Sequence, residues 1–240
     1  MLQCKIMLVN APKQEKLVNM SGAVLTISSK NYSSWSLRGW LLCRMAGLDF
    51  KEELLSHDDP STRAELLLLS PSFLVPCLTH NGLKVWDTLA IAEYLHEQFP
   101  KAGLLPSDPA ARSHCRSIAG EMHSGFSNLR RDLPMNVRKS FSPIELSDPV
   151  REEIDRILQL WAQARARFGG IGDFLFGEWC AADMMYAPVV TRFLTYAVPI
   201  PSFAAVYVKA VLSHPHVAEW IDKAQDEPWV IDQWEVGKAA

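Results

Sequence analysis

Apolar and polar positions follow two different rhythms along the chain. In the first half, short apolar runs alternate with helical stretches. Ala23-Val24-Leu25-Thr26-Ile27-Ser28 is apolar and β-branched, and predicts a buried strand. Leu37, Trp40, Leu41 and the stretch from Arg44 to Leu48 keep helical spacing until Gly47 ends the pattern. Asp49 to Leu55 alternates weakly and reads as a second strand, so strand, helix and strand imply a right-handed parallel crossover. Ser61 to Ser70 carries helical propensity and stops at Pro71. Another apolar strand runs to Thr79, with Val75-Pro76 at its start. Asn81-Gly82, a strong hairpin signal, joins it to Leu83-Lys84-Val85-Trp86, and Asp87-Thr88 opens a helix over Leu89 to Leu95.

The rhythm changes after residues 100–109, which hold three prolines and a glycine and read as a linker. From Ala110 onward the pattern is helical. Ala110 to Arg131 predicts one long helix closed by Pro134. Asp148 to Phe168 predicts another, with Ile154, Ile157, Leu158, Trp161 and Phe168 on its apolar stripe. Cys180 and Asp183 are spaced as a capping box ahead of a buried helix, although a thiol is a poorer acceptor than the usual hydroxyl. Pro215 punctuates the last helices. The expected organisation is therefore an extension over residues 1–22, an α/β domain over 23–99, the linker, and an all-helical domain over 110–240. The extension is expected to be poorly ordered, with Met20 as an alternative start.

Composition narrows the function classes. The chain has 240 residues, 48% hydrophobic and 21% charged, as expected for a globular protein. A net charge of −3, from 24 basic and 27 acidic residues without a basic run, argues against a nucleic-acid partner. No apolar run reaches the length of a membrane span. Five scattered cysteines without a CxxC write neither a zinc site nor a dithiol motif, and point to a reducing, cytoplasmic compartment. His214 and His216 around Pro215, and His57-Asp58-Asp59, read as solvated turns; no metal is expected.

Three stretches carry candidate chemistry, and each has a structural alternative. Asn31-Tyr32-Ser33-Ser34-Trp35-Ser36-Leu37-Arg38 sits on a strand-to-helix turn, where hydroxyls either cap the helix or join its free N–H groups in holding an anion. Val75-Pro76 is either an ordinary trans proline on an edge strand or a cis proline that leaves the Val75 backbone free for an extended ligand. Asp87-Thr88 caps its helix, or offers a second N-terminus to a carboxylate.

The order β-α-β, short helix, β-β-α within about eighty residues is a thioredoxin-like layout. With Ser33-Ser34, Val75-Pro76 and Asp87-Thr88 in that order, it resembles the N-terminal domain of glutathione transferases. The stretch from Phe174 to Tyr186 resembles the capping-box signature of that family's helical domain. The resemblance covers roughly Ala23 to Gln225 and implies a thioredoxin-like glutathione-binding domain followed by an all-α domain. It makes Ser33 or Ser34 the partner of the glutathione sulfur. It also makes Val75, before a cis proline, the backbone clamp, with Asp87 and Thr88 holding the γ-glutamyl end.

Trp35-Ser36-Leu37-Arg38 lines up with the Trp-Arg-Val-Arg tail of the zeta class. On that alignment the zeta serine falls on Asn31 and the motif cysteine on Ser33, so the activating hydroxyl stays open, with Tyr32 a third choice. The electrophile is expected between the domains, against Tyr32, His123 and Arg130, with Arg138 a further candidate for an anionic acceptor. Three functions follow. The first is a glutathione S-transferase attacking a small electrophile, with glutathione as co-substrate, in detoxification. The others are a glutathione-dependent isomerase of the maleylacetoacetate isomerase kind, and a non-catalytic glutathione- or ligand-binding protein. The resemblance also implies a homodimer.

Overall fold

Four strands form one mixed sheet in the order β2-β1-β3-β4 in the computed structural model, which describes residues 22–55, 74–228 and 230–236. β1 (Ala23–Ile27) runs parallel to β2 (Phe50–Leu54) and antiparallel to β3 (Cys77–His80), which pairs antiparallel with β4 (Leu83–Trp86). The parallel pair bears out the expected crossover, with α1 (Ser34–Met45) lying between its strands in sequence. The β3–β4 hairpin turns on Asn81 and Gly82, whose φ values of 51° and 76° are the left-handed pair that a type I′ turn requires. The expected helix over Ser61 to Ser70, its stop at Pro71, and His57-Asp58-Asp59 lie outside the described residues, as does the N-terminal stretch over residues 1–21.

Register decides where the site forms. Thr26 of β1 is opposite Cys77 of β3, and Cys77 is opposite Trp86 of β4. The end of β1, the start of β3 and the end of β4 therefore share one edge of the sheet. α1 leaves from that edge, and so does α2 (Thr88–Gln98). Gly47, with φ 69°, follows the end of α1, as its place after the last periodic residue implied.

α1 is buried at Ser34 and along its whole length from Ser36 to Cys43, because it packs against both α2 and a central helix of the second half. That helix, α6 (Ala181–Thr195), is buried on nearly all sides, as its almost uninterrupted apolar sequence demands. α3 (Pro109–Ser124) and α7 (Ser202–Ser213) pack against it, and α4 (Ser127–Asp132), α5 (Asp148–Phe168) and α8 (Pro215–Gln225) complete the helical half. The capping box ahead of α6 is present. Asp183 accepts from the Cys180 N–H at 2.9 Å and from the Leu175 N–H at 3.1 Å, and the Cys180 sulfur serves as the weaker acceptor. Burial pushes the Asp183 carboxyl up to about 6, against the pull of those backbone donors.

Two expectations need correction. The single helix over Ala110 to Arg131 breaks at Gly125-Phe126, where Phe126 takes φ 58° and turns its ring into the core. Met122, Phe126, Leu129 and Leu133 are all buried on either side of the bend. The N-terminus of α4 created by the break is capped from α5, with the Glu153 carboxylate accepting from Asn128 N at 3.2 Å and Leu129 N at 2.7 Å. His214 is not a solvated turn residue. Its ring stacks on Trp179 at 4.1 Å, and its Nδ1 accepts from the His216 N–H at 3.3 Å. Burial, with a contribution from His216, pushes its pKa down to about 4.

Candidate active site

The three stretches that the sequence singled out as carrying chemistry, at Ser33-Ser34, Val75-Pro76 and Asp87-Thr88, lie along the shared edge of the sheet. Ser33 is the N-cap of α1: its Oγ accepts from the Ser36 N–H at 3.3 Å and donates to Ser36 Oγ at 2.8 Å. Ser36 Oγ in turn accepts from the Ser28 N–H at 3.0 Å. Ser34, at the first helical position and 8% exposed, makes no side-chain hydrogen bond among the described residues. The two serines thus differ. One hydroxyl is engaged in capping, and the other is free at the positive end of a helix dipole.

Across the edge, the Val75-Pro76 bond is cis. Its ring packs on α1 at Gly39, where a Cβ would lie 2.5 Å from Pro76 Cγ. Among the described residues no backbone hydrogen bond reaches Val75, so both its N–H and its C=O remain open to an extended ligand.

The third group opens α2. Asp87 holds φ 73°, a rare value for a residue with a side chain, and its Oδ1 caps the Leu89 N–H at 2.8 Å. Its other oxygen lies 2.6 Å from His123 Nε2 of α3, so a residue of the helical domain closes over this end of the site. Thr88 is 1% exposed and its hydroxyl has no partner. A buried, unpaired hydroxyl at a helix N-terminus is an incomplete arrangement without a ligand.

The expected electrophile residues separate into two groups. His123 and Arg130 gather on Trp35, the His123 ring centroid at 5.1 Å and the Arg130 Cζ at 5.5 Å. Tyr32 does not join them. Its hydroxyl binds Glu235 at 2.5 Å and accepts from the Ile231 N–H at 3.3 Å, and its ring lies against Trp234. Burial, followed by the Glu235 bond, raises its pKa. Arg138 stands near Tyr32 as well, donating to the Glu227 carbonyl.

Sequence reasoning missed the carboxylate that holds the turn. Glu227, 8% exposed and almost two hundred residues away, accepts from the Ser29 hydroxyl at 2.6 Å and from the Lys30 and Asn31 N–H groups. Asn31 is fully buried, and its Oδ1 accepts from the Arg138 N–H at 3.0 Å. The loop ahead of α1 is thereby fixed to the C-terminal segment, and nothing in the local pattern around Glu227 signals it.

A thioredoxin-like domain with a cis proline facing two helix N-termini, closed by an all-helical domain, is the glutathione transferase class of fold. Residues 32–98 match the family model described as glutathione S-transferase, N-terminal domain. A glutathione transferase homologue from Burkholderia, crystallised with bound glutathione, superposes with TM-score 0.66 at 22% identity, over 86% of this chain and 99% of that one. A probable maleylacetoacetate isomerase of Caenorhabditis elegans is 34% identical over 97 residues, 40% of this chain and 44% of that protein. Glutathione S-transferase L1 of Arabidopsis thaliana is 25% identical over 187 residues, 78% of this chain and 71% of that protein. The match to the nematode protein thus spans less than half of its length.

Proposed function

We propose that the protein is a glutathione S-transferase that binds glutathione along the sheet edge and activates its thiol for attack on a small electrophile. The observation that carries this reading is the convergence of three unsatisfied features at one edge: the Ser34 hydroxyl, the open Val75 backbone and the buried, unpaired Thr88 hydroxyl. An extended tripeptide with a carboxylate at one end and a thiol at its centre satisfies all three at once. A free thiol has a pKa around 8.5, so little is thiolate at neutral pH. A hydroxyl donor and the α1 dipole favour the anion, and Ser33 assists by holding the first turn. No covalent intermediate on the protein is required; the gain comes from thiolate fraction and positioning.

His123 and Arg130 on Trp35 support a second reading, in which the acceptor is anionic and the reaction is a glutathione-dependent isomerisation. Among the described residues no helix is long and apolar enough to cross a membrane, and a cytoplasmic, detoxifying role fits the reading. A homodimer is part of the same proposal, supported by Leu83 and Trp86, which are 55% and 44% exposed on the edge strand β4.

Thr88→Val tests the ligand role of the hydroxyl. It is expected to weaken glutathione binding about tenfold by calorimetry, the worth of one hydrogen bond to a carboxylate. The melting temperature should not fall, because the hydroxyl makes no bond in the free protein. A variant that binds as the wild type does, or binds equally weakly but melts lower, removes Thr88 from the site.

A further inference from the structure

The seam between the domains holds buried positive charge without matching negative charge among the described residues. Arg38 of α1 is fully buried. Its Nε donates to the Met185 carbonyl of α6 at 2.8 Å, and its guanidinium lies over Trp35, with Cζ 4.5 Å from the ring centroid. Neither of its terminal nitrogens has a partner. Arg192, seven residues beyond Met185 and so on the same face of α6, is 3% exposed. It donates only to carbonyls, Leu133 O at 2.7 Å and Pro188 O at 2.9 Å. Arg130 approaches the same Trp35 ring from α4.

A guanidinium does not give up its proton in a protein, so Arg38 and Arg192 are both charged where they lie. Isolating such an ion from water is unfavourable, and buried charges are therefore nearly always paired. Here the neighbours make the imbalance worse. Burial first, then the charges of Arg192 and Arg130, hold Arg38 well below its usual range, with only Tyr186 opposing. Arg192 is likewise pushed down to about 10 by burial, with Arg130 adding to it and Tyr196 opposing. The carboxylate that opposes the burial of the Arg130 charge, on Glu153, is occupied with the backbone N–H groups of α4. Because Nε is taken by Met185, the free edge of Arg38 is the end-on pair of terminal nitrogens, which grips a halide between them or a carboxylate by both oxygens.

We propose that a small monoanion, halide or carboxylate in size, binds in the seam between the domains, held by the two free terminal nitrogens of Arg38 and favoured by the charges of Arg130 and Arg192. It joins α1 to α6 directly behind the turn that carries Ser33 and Ser34. This site does not depend on glutathione binding, and the two are read out separately.

Crystals of the full-length protein grown in sodium bromide test the site without any substitution. The account expects an anomalous peak at hydrogen-bond distance from the Arg38 terminal nitrogens. In solution, the melting temperature should rise saturably with sodium chloride or sodium acetate, but not with sodium gluconate at equal ionic strength, whose anion is too large. A larger rise with acetate than with chloride assigns the site to carboxylates, and the reverse to halides. Arg38→Met, of similar length and uncharged, should lose this dependence, whereas Arg151→Met on the exposed face of α5 should keep it. Bromide peaks only at the surface, together with melting that responds equally to all three salts, overturn the proposal and leave a water molecule in the seam.

Discussion

Asp183→Ala is expected to lower the unfolding free energy at pH 7 by about 3 kcal/mol, read from urea denaturation. The carboxylate accepts from two backbone N–H groups, Leu175 and Cys180, and it is fully buried. Alanine leaves both donors without a partner, at about 1–3 kcal/mol each. Relief from burying the carboxylate offsets part of this. The effect depends on pH, and its sign follows from the raised carboxyl at about 6. An unfolded Asp titrates near about 3.9, so the folded protein binds this proton more tightly. The resulting stability is fully present below about pH 3.9 and is lost as the pH rises through about 6, up to about 3 kcal/mol in all. The difference between wild type and Asp183→Ala should therefore be widest near the acid end and narrow toward pH 7. A difference that widens as the pH rises means that the backbone donors outweigh burial and the fold prefers the anion.

Gly39→Ala is expected to weaken glutathione binding at least tenfold and to destabilise the fold. In the interior of a helix, alanine is ordinarily favoured over glycine by about 1 kcal/mol. Here its Cβ meets Pro76 Cγ at 2.5 Å and Pro76 Cβ at 2.7 Å. A proline ring has no flexible end to swing aside, so either α1 or the Val75-Pro76 segment moves. Overpacking of this kind costs about 1–3 kcal/mol and outweighs the helix gain. Both segments belong to the proposed glutathione site, so the shift separates the Ser34 hydroxyl from the Val75 backbone. Calorimetry with glutathione and thermal melting check the two effects. A variant that is more stable and binds as the wild type does contradicts the contact.

The elements that could be read from the sequence were those with local causes. The Asn81-Gly82 turn, the Gly47 stop and the whole of α5 follow from backbone preferences and an apolar stripe within one stretch. The parallel β1–β2 pair followed from the sequence of elements, since strand, helix and strand leave one handed way to pair in parallel. The local positions of the candidates Ser33, Ser34, Val75, Asp87 and Thr88 were legible because each sits where a strand meets a turn or a helix start. What was hidden depends on distant partners. The break at Phe126 exists because the core behind it and Glu153 of α5 stabilise a bent chain. Glu227 reaches the loop at Ser29 from the other end of the sequence. Arg38 is held in the core by the Met185 carbonyl of the distant α6, and the separation of Tyr32 from His123 and Arg130 is set by Glu235 and Trp234.

Ultraviolet absorbance of the bound glutathione thiolate against pH tests thiol activation most directly, on the wild type, Ser34→Ala and Ser33→Ala. The account expects the bound thiol in the wild type to titrate about one unit or more below the free thiol, each unit being about 1.4 kcal/mol. Ser34→Ala should return it toward the free value, while Ser33→Ala should cost stability and shift the thiol less. A wild-type bound thiol that titrates where free glutathione does contradicts the account and leaves a protein that binds glutathione without activating it.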